Sequence, residues 1–388
     1  MRRVYLDNNA TTPVLPEVFE AMRPYFAEHF GNASSIHHHG QETRAAVERA
    51  RESVAALLGC RASEIVFTSG GTEGDNLAVS GLIRAGDHVV SSTIEHHAVL
   101  NSCKHLEALG CEVTYVPVNG RGLVDPDYVR RALRPQTKLI TIMMANNETG
   151  VLQPVEEIGK IAAEADIYFH TDAVQAAGKV PIDVKRLGCD LLSISGHKLH
   201  GPQGVGALYV RKGTILQPMF YGGSHERSRR AGTENVPGII GLGKAAELAA
   251  EGLERGDLER MSAMRDQIEQ KILSDVEATG VNGEGAPRVP NTTNIHFDYI
   301  EGEALVIALD LKGLAVSTGA ACSSGAIEPS HVLTAMGLPP EIARASLRFS
   351  LGKQNTPNDV EFALNLVPQT VARLRELSPV YNRAAISF

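Results

Sequence analysis

The 388-residue chain is long enough for two domains and a large core, and its composition, 43% hydrophobic and 21% charged, is that of a globular protein. Its net charge of −8 argues against the basic face that a nucleic-acid binder or a polybasic membrane binder needs. The N-terminal stretch MRRVYLDNNATT has no apolar segment after its two arginines, and no run approaches the roughly 18 apolar residues of a membrane span. We therefore expect a cytoplasmic protein that binds neither nucleic acid nor membranes.

Short β-rich runs alternate with helical patterns from about residue 64 to residue 210. Amphipathic segments at 97–110 and 155–165 separate several of these runs. Such strand–helix–strand repetition predicts an α/β fold, with a mostly parallel sheet covered by helices on both faces. The last two runs follow each other too closely for a helical crossover, so we expect one antiparallel strand. The predicted strands are 64–69, 87–92, 112–118, 138–145, 167–172, 190–195 and 205–210.

The pattern changes after Gly252. A long charged helix is predicted over 253–276, and a closing helix over 358–377 follows several short apolar runs. We expect a large domain over 14–256 and a smaller α+β domain. The small domain would combine residues 1–13 and 257–388, with its last residues loosely held.

The cysteines form an odd set without CxxC spacing, which predicts thiols in a reducing compartment. Four of them lie in apolar or helical surroundings and are expected to be small buried hydrophobic residues. Only Cys322 has a polar setting of small residues, in the stretch STGAACSSG at 317–325. The other four are Cys60, Cys103, Cys111 and Cys189.

Polar segments follow five of the predicted strands, although the connections at these positions could have had any composition. Ligands of open α/β sheets bind outside the carboxyl ends of the strands, so we expect these segments to form one pocket. They are SGGTEGDN (69–76), STIEHHAV (92–99), NNETG (146–150), TDAVQ (171–175) and SGHKLHGP (195–202).

The segment SGGTEGDN has two glycines after a strand and Thr72 where a helix should begin. Free backbone N–H groups and a hydroxyl at a helix N-terminus suit a phosphate, although a simple helix cap has the same composition. The segment lacks the GK[ST] ending of a P-loop and is not GxGxxG.

Asp172 and Lys198 each admit two interpretations. A carboxylate at the end of a strand needs a cationic partner, which is either a structural Arg or Lys or the ring nitrogen of a ligand. Lys198 is either a surface lysine or a partly desolvated amine of lowered pKa. Pyridoxal phosphate needs a lysine, an acid and a phosphate cradle, and His96 offers a flat residue against its ring. All four features are expected at one edge of the sheet, which favours this cofactor.

Over residues 5 to 352 the chain resembles the cysteine desulfurases of the class V aminotransferase superfamily, in the group that serves iron–sulfur cluster assembly. The resemblance implies the fold of pyridoxal-phosphate-dependent transferases (fold type I). It is carried, in the family's order, by YLDNNATTP, GNASSIHHHG, FTSGGTEGDN, EHHAVL, NNETGVLQP, HTDAVQAAGK, SGHKLHGPQGVGALYV, RRAGTENV, STGAACSSG and LRFSLG.

The resemblance also implies roles for individual residues. Lys198 resembles the Schiff-base lysine, and His96, rather than His97, resembles the histidine that stacks on the ring. Arg348 resembles the arginine that grips the substrate carboxylate, for which a planar fork is well suited. The remaining cofactor contacts implied are Asp172 at the ring nitrogen, Gln175 and Asn147 near the ring hydroxyl and the substrate, Gly71, Thr72, Ser195 and His197 around the phosphate, and Thr233 at the phosphate of the other subunit of a homodimer.

The reaction implied converts L-cysteine to alanine and leaves the sulfur on Cys322 as a persulfide. Lys198 would act as the base, and His96 would assist the Cys322 thiol. An iron–sulfur scaffold protein, a tRNA-thiolation protein or another carrier would accept the sulfur. A selenocysteine lyase, a class V aminotransferase and a non-catalytic sulfur relay are the alternatives, of which an aminotransferase has no use for Cys322.

Two departures from the family pattern precede RRAGTEN, because His225 stands where glutamine is frequent and Ser228 where glycine is common. They are expected to affect the loop or the dimer contact and to leave the cofactor residues intact. The tract at residues 37–39 contains three consecutive histidines, which could bind a transition metal. The resemblance assigns it to a loop near the site, and we expect no metal centre.

Overall fold

Residues 2–319, 328–379 and 381 are described by the computed structural model, and within them three β-sheets are flanked by helices. The strands of this part are β1 (Val4–Tyr5), β2 (Ile65–Thr68), β3 (His88–Ser92), β4 (Glu112–Val116), β5 (Thr137–Thr141), β6 (Tyr168–Asp172), β7 (Leu191–Ser195), β8 (Gly206–Val210), β9 (Thr279–Val281), β10 (Thr292–Phe297), β11 (Leu314–Ala315) and β12 (Ser346–Ser350).

Helices connect most of these strands, and short 3-10 turns cover Ala62–Glu64, Gly196–Lys198 and Glu226–Ser228. No helix of the described ranges is long and apolar enough to span a bilayer. The helices are α1 (Pro16–Met22), α2 (Pro24–Ala27), α3 (His38–Leu58), α4 (Gly71–Leu82), α5 (His97–Ala108), α6 (Pro126–Ala132), α7 (Val155–Glu164), α8 (Val184–Leu187), α9 (Val236–Glu254), α10 (Asp257–Asp275), α11 (Gly302–Asp310), α12 (His331–Ala335), α13 (Pro340–Arg344) and α14 (Pro357–Leu377).

The largest sheet in the described residues has seven strands in the order β2-β8-β7-β6-β5-β3-β4. Strands β3 to β7 pair in parallel, whereas β8 is antiparallel to both β7 and β2. The segment between β7 and β8 is too short for a helical crossover, and the predicted single antiparallel strand is confirmed. The six other strand predictions are also confirmed, with differences of at most two residues at their ends, except that β5 ends four residues earlier than predicted.

Helices cover both faces of this sheet, which explains why most residues of its strands are buried, polar ones included. Successive residues of a strand point to opposite faces, and in β5 both Leu139 and Ile140 are fully buried. Leu139 packs in the cluster that contains Val99 of α5, and Ile140 in the cluster that contains Ile158 of α7. The sheet therefore has a core on each side.

Strand β5 ends at Thr141, although its apolar run predicted a strand as far as residue 145. At Met143 the backbone N–H donates to Oε1 of Glu95 at 3.0 Å rather than to a neighbouring strand. The carboxylate thus ends the pairing with β3, while Met143 stays buried at 1% exposure. Ile142 and Met144 still donate to the carbonyls of His170 and Asp172 of β6, so the sequence pattern could not show that the pairing with β3 ends here.

The single helix predicted over 253–276 is wrong, because the structure divides it into the end of α9 and the separate helix α10. The break lies at Gly256, whose φ of 79° is left-handed and incompatible with a continuing α-helix. Charged residues on both sides conceal the break in the sequence pattern. The closing helix is confirmed as α14, which begins one residue earlier than predicted.

A second hydrophobic cluster lies between α10, α14 and the sheet β12-β10-β9. Val4 and Leu6 belong to this cluster, which brings the N-terminal residues beside the C-terminal third of the chain. Strand β1 pairs in parallel with β11, and Asp7 forms a bridge to Ser350 of β12. This return of the N-terminus positions residues 7–12 over the edge of the large sheet. The domain limits proposed from the sequence, 14–256 against 1–13 with 257–388, remain a prediction.

The loop before RRAGTEN contains three consecutive non-glycine residues in the left-handed region, Glu226 (φ 46°), Arg227 (φ 56°) and Ser228 (φ 64°). Each costs on the order of 1 kcal/mol for an L-residue. A buried ion pair holds the loop, since both guanidinium nitrogens of Arg51 bond the two carboxylate oxygens of Glu226 at 2.7 and 2.9 Å. Ser228 therefore occupies a conformation that favours glycine.

Replacing Ser228 by glycine should stabilise the protein by about 1 kcal/mol, because glycine adopts this φ without strain. Chemical denaturation of the wild type and the variant measures the difference. Ser224 is the matched control, because it is a serine of the same exposed loop that is absent from the positive-φ residues. Ser224→Gly should leave stability unchanged or lower it, and equal gains from both substitutions would contradict the explanation.

Candidate active site

A cavity of about 370 Å³ opens at the carboxyl ends of the large sheet, where the sequence predicted a pocket. Residues from all five predicted polar segments line it, together with the N-terminal stretch and the chain around residue 318. The lining residues are Asn9, Ala10, Gly71, Thr72, Asp75, His96, Met143, Asn147, Asp172, Val174, Gln175, Ser195, His197, Lys198, Ser317, Gly319 and Arg348.

Lys198 lies in the 3-10 turn that directly follows β7, so the strand end fixes its direction. Its Nζ donates to the backbone carbonyls of Asn9 and Ala10 at 2.5 and 2.7 Å. Burial and the nearby charge of Arg348 lower the pKa of the amine to about 8. A substantial fraction of the amine is therefore neutral near physiological pH, in agreement with the predicted desolvation.

Asp172 is the last residue of β6 and is buried at 5% exposure. Its Oδ1 accepts the backbone N–H of Val174 at 2.8 Å. Burial raises its pKa to about 6, against the opposing effects of that N–H group and of Lys198. No Arg or Lys in the described ranges forms an ion pair with it. The described residues therefore do not supply the structural cation that was one of the two partners expected for Asp172.

The N-terminus of α4 forms one wall of the cavity. The first turn of a helix leaves backbone N–H groups without helical partners, and Gly71 and Thr72 present theirs here. A Cβ atom on Gly71 would lie 2.7 Å from Cγ2 of Val174, which excludes a larger residue. The adjacent Glu73 accepts a hydrogen bond from Nε of Arg230 at 2.9 Å, which pairs its negative charge. The helix end beside it is suited to binding an anion.

Ser195 and His197 complete this wall from the end of β7 and the turn after it. Nδ1 of His197 lies 3.2 Å from Oγ1 of Thr11. Burial and Lys198 lower the pKa of His197 to about 4, so the ring is neutral at physiological pH. The predicted phosphate residues are thus brought together, with hydroxyl, imidazole and backbone N–H groups facing one space.

His96, not His97, lines the cavity. Nδ1 of His96 accepts the N–H of Ala98 at 3.1 Å, which caps α5 and fixes the ring. Burial and the neighbouring Lys198 lower its pKa to about 4. A neutral, oriented ring is well suited to stacking and is a weak base at neutral pH, while the ring of His97 packs against His331 at 4.7 Å.

Arg348 projects from β12 into the cavity and is buried at 4% exposure. Its Nη1 donates to the carbonyl of Asn147 at 2.8 Å, and its Nη2 contacts Oδ1 of Asp7 at 2.6 Å. Nη1 and Nη2 each keep a second N–H, and Nε is buried without a hydrogen-bond partner among the described residues. The side-chain amide of Asn147 also makes no hydrogen bond to the described residues, so Arg348 and Asn147 both keep polar groups for a ligand.

Asn9 is a site residue that the sequence analysis missed. Its carbonyl accepts from Lys198 and from Nε2 of Gln175 at 3.0 Å. Its amide nitrogen donates to Thr292 and to the carbonyl of Asn147. The motif YLDNNATTP is part of the family resemblance, but nothing in it shows that this stretch crosses the carboxyl ends of the strands of the large sheet.

Among the described residues, Thr233 is the predicted site residue that does not line the cavity of this chain. Thr233 is exposed, and Cys322 lies outside the described residues. The segment that carries Cys322 follows Gly319, which lines the cavity, and Ser317 pairs with Arg348 through a β-bridge. The predicted burial of the other cysteines holds for Cys103, Cys111 and Cys189, while Cys60 is half-buried.

The histidine tract has a structural role. His37 caps α3 by accepting the N–H of Gly40 at 3.3 Å, and the ring of His39 stacks on Phe30. Within the described part of the chain, no group of three or more His, Cys, Asp and Glu side chains is arranged to hold a metal ion.

The cavity residues fit pyridoxal phosphate on the chemistry of their donors and acceptors. A buried carboxylate without a cationic partner suits a protonated ring nitrogen, and a helix N-terminus with hydroxyls suits a phosphate. A lysine of pKa about 8 suits a carbonyl group. Fold and site together define a transferase of fold type I.

Comparison with known proteins supports this assignment to the transferases of fold type I. The Aminotransferase class-V family matches residues 4–362, so the chain belongs to that family. A structure described as a NifS-like protein superposes with a TM-score of 0.89 at 37% identity, covering 96% of this chain and all of that one. A structure of SspA in complex with cysteine superposes with a TM-score of 0.80 at 39% identity, covering 91% of this chain and 99% of that one.

Curated relatives place the chain more narrowly. The cysteine desulfurase IscS of Dictyoglomus turgidum is 52% identical over 382 residues, which is 97% of each chain. That of Methanosarcina thermophila is 53% identical over 383 residues, 98% of this chain and 94% of the other. Within the class V family the chain belongs to the cysteine desulfurases.

Proposed function

We propose that this enzyme binds pyridoxal 5′-phosphate in the cavity and removes the sulfur of L-cysteine, leaving alanine and a Cys322 persulfide. The observation that carries the proposal is the convergence of Lys198, Asp172 and Arg348 on one cavity, with Gly319 in its wall. Cys322 is three residues beyond Gly319, so its Cα lies within about 11 Å of that residue. The thiol is therefore within reach of a substrate in the cavity.

The cofactor would be held by the residues already described. Asp172 would pair with its ring nitrogen, His96 would stack on its ring, and Gln175 would contact its ring hydroxyl. Its phosphate would lie against Gly71, Thr72, Ser195 and His197. When bound, pyridoxal phosphate supplies an electron sink that acidifies the substrate Cα and weakens the bond to sulfur.

The substrate would be oriented by Arg348. Nη1 and Nη2 of its guanidinium each keep a second N–H beyond the bonds to Asn147 and Asp7, and these N–H groups and the side-chain amide of Asn147 would bind the carboxylate of L-cysteine. Lys198, as a neutral amine, would take the Cα proton on its Nζ.

Cys322 would then attack the substrate sulfur as a thiolate. The new S–S bond forms as the C–S bond breaks, and the bonding electron pair stays on the β-carbon. Protonation of that carbon and return of the proton from Lys198 to the Cα give alanine. The low pKa of His96 favours its stacking role over deprotonation of this thiol.

The sulfur acceptor and the second subunit belong to the same proposal. Exposed Thr233 contributes nothing to the cavity of its own chain, which supports its predicted contact with the phosphate of a partner subunit in a homodimer. The persulfide would be passed to an iron–sulfur scaffold protein or another carrier in the cytoplasm.

The experiment that tests the function measures alanine and sulfide from L-cysteine in the presence of a thiol reductant. The wild type should release them in a 1:1 ratio, and Cys322→Ser should lose both. Cys111→Ser is the matched control and should retain activity, because that thiol bonds a carbonyl remote from the cavity. An active Cys322→Ser variant, or transamination without sulfide, would reject the proposal.

The pH dependence of cofactor binding gives a further prediction. Only the neutral amine of Lys198 can capture the aldehyde of pyridoxal phosphate, so its rate of recombination with the apoprotein should rise with pH and level off above about pH 8. Stopped-flow absorbance measures this rate, with Nα-acetyl-lysine as the reference. A rate that keeps rising to pH 10, as for the reference amine, would contradict the lowered pKa.

A further inference from the structure

Lys179 is a buried lysine directly behind the cavity, on the turn that follows β6. It is 8% exposed, and no acidic side chain of the described residues forms an ion pair with it. The charged and titratable groups that act on it are Lys198, Arg348 and His200, so the cationic form of Lys179 is opposed by both burial and repulsion. An apolar residue of similar size would cost less in stability.

The hydrogen bonds of Lys179 lead to the active site. Its Nζ donates to Oε1 of Gln175 at 2.8 Å and to Oδ1 of Asn9 at 3.1 Å. Because the amide oxygen of Gln175 is held by this donor, its nitrogen must point the other way, where it donates to the Asn9 carbonyl. That carbonyl also accepts from Lys198.

The second contact fixes Asn9 in the same manner. Oδ1 of Asn9 accepts hydrogen bonds from Nζ of Lys179 and Nδ2 of Asn291. The amide nitrogen of Asn9 therefore points toward Thr292 and the carbonyl of Asn147. One amine thus helps to orient two amides: that of Gln175, which is assigned to the cofactor, and that of Asn9, which bonds the carbonyl of Asn147, a residue assigned to the substrate.

We propose that Lys179 is a positioning residue of the active site: it orients the amide of Gln175 toward the cofactor and, through Asn9, holds the carbonyl that receives Lys198. The inference rests on the proposed function. Lys179 does not line the cavity and touches neither ligand. Burial of Lys179 is unfavourable for stability, but Lys179 fixes amide orientations that a hydrophobic residue could not fix.

The test compares Lys179→Met with Lys353→Met. Lys353 and Lys179 line the same small cavity of about 40 Å³ behind Lys198, but the carbonyl of Leu248 is the only group of the described residues that Nζ of Lys353 bonds. Lys179→Met should weaken the binding of pyridoxal phosphate about 10-fold or more and leave the denaturation midpoint of the apoprotein unchanged or higher. Lys353→Met should leave cofactor affinity unchanged.

A double-mutant cycle separates positioning from a structural effect. Gln175→Ala should shift the absorbance maximum of the bound cofactor, and Lys179→Met should shift it in the same direction. In the Gln175→Ala background, Lys179→Met should lower cofactor affinity by less than about 3-fold, because Gln175, the partner of Lys179 that contacts the cofactor, is already absent and Asn9 keeps its bond to Asn291. Equal losses in both backgrounds, unchanged affinity, or a destabilised apoprotein with an unshifted spectrum would overturn the inference.

The readouts distinguish this inference from the proposed function. A wild type that binds pyridoxal phosphate and releases alanine, together with an unaffected Lys179→Met variant, rejects only the role of Lys179. A wild type that does not bind the cofactor rejects the proposed function and the inference with it.

Discussion

Replacing Lys198 by alanine should lower the rate of alanine release by about 10³-fold or more and abolish covalent capture of pyridoxal phosphate. Lys198 is the residue assigned both to the cofactor aldehyde and to the Cα proton, and general base catalysis alone contributes about 10²- to 10⁴-fold. Turnover by the purified variant measures the first effect. Mass spectrometry after borohydride reduction measures the second.

Lys198→Arg is the control for charge. It retains a cation near Asp172 but has no amine that deprotonates, so it should be as inactive as Lys198→Ala. Either variant with more than about a tenth of the wild-type rate would contradict the assignment of Lys198.

Replacing Arg348 by lysine should raise the KM for L-cysteine by about 100-fold, with a smaller change in kcat. The lysine keeps the positive charge but loses the planar guanidinium, in which Nη1 and Nη2 bond Asn147 and Asp7 and keep one N–H each for the substrate. Losing one charge-assisted hydrogen bond costs about 1.5 to 3 kcal/mol, and steady-state kinetics measures the consequence.

Arg265 offers a matched control for this substitution. It is another buried arginine, on α10, and its Nη1 bonds the carbonyl of Val289 away from the cavity. Arg265→Lys should leave the KM unchanged. An equal rise in both variants would show a general effect on folding, and an unchanged KM in Arg348→Lys would remove Arg348 from the substrate site.

The sequence predicted the large sheet and the pocket because both depend on local patterns. Polar residues placed after apolar strands, such as Asp172 and Lys198, meet wherever the strands are parallel, so their proximity follows from topology alone. The choice of His96 over His97 also agrees with the cavity lining, where helix α5 turns His97 toward His331.

Such local patterns could not predict contacts between parts of the chain that are distant in sequence. Asn9 enters the site only because the two-residue strand β1 pairs with β11, more than 300 residues away in the sequence, and no periodicity reveals a pairing that short. Lys179 follows two alanines and a glycine, as a surface lysine could, and only its burial and its bonds to Gln175 and Asn9 set it apart.

The central claim is that sulfur passes from L-cysteine to Cys322. The most direct test is intact mass followed by peptide mapping after brief exposure of the enzyme to L-cysteine without reductant. The account predicts one added sulfur atom on the peptide that contains Cys322, with alanine released in equal amount. An unmodified Cys322 peptide from enzyme loaded with pyridoxal phosphate, with no alanine formed, would contradict it.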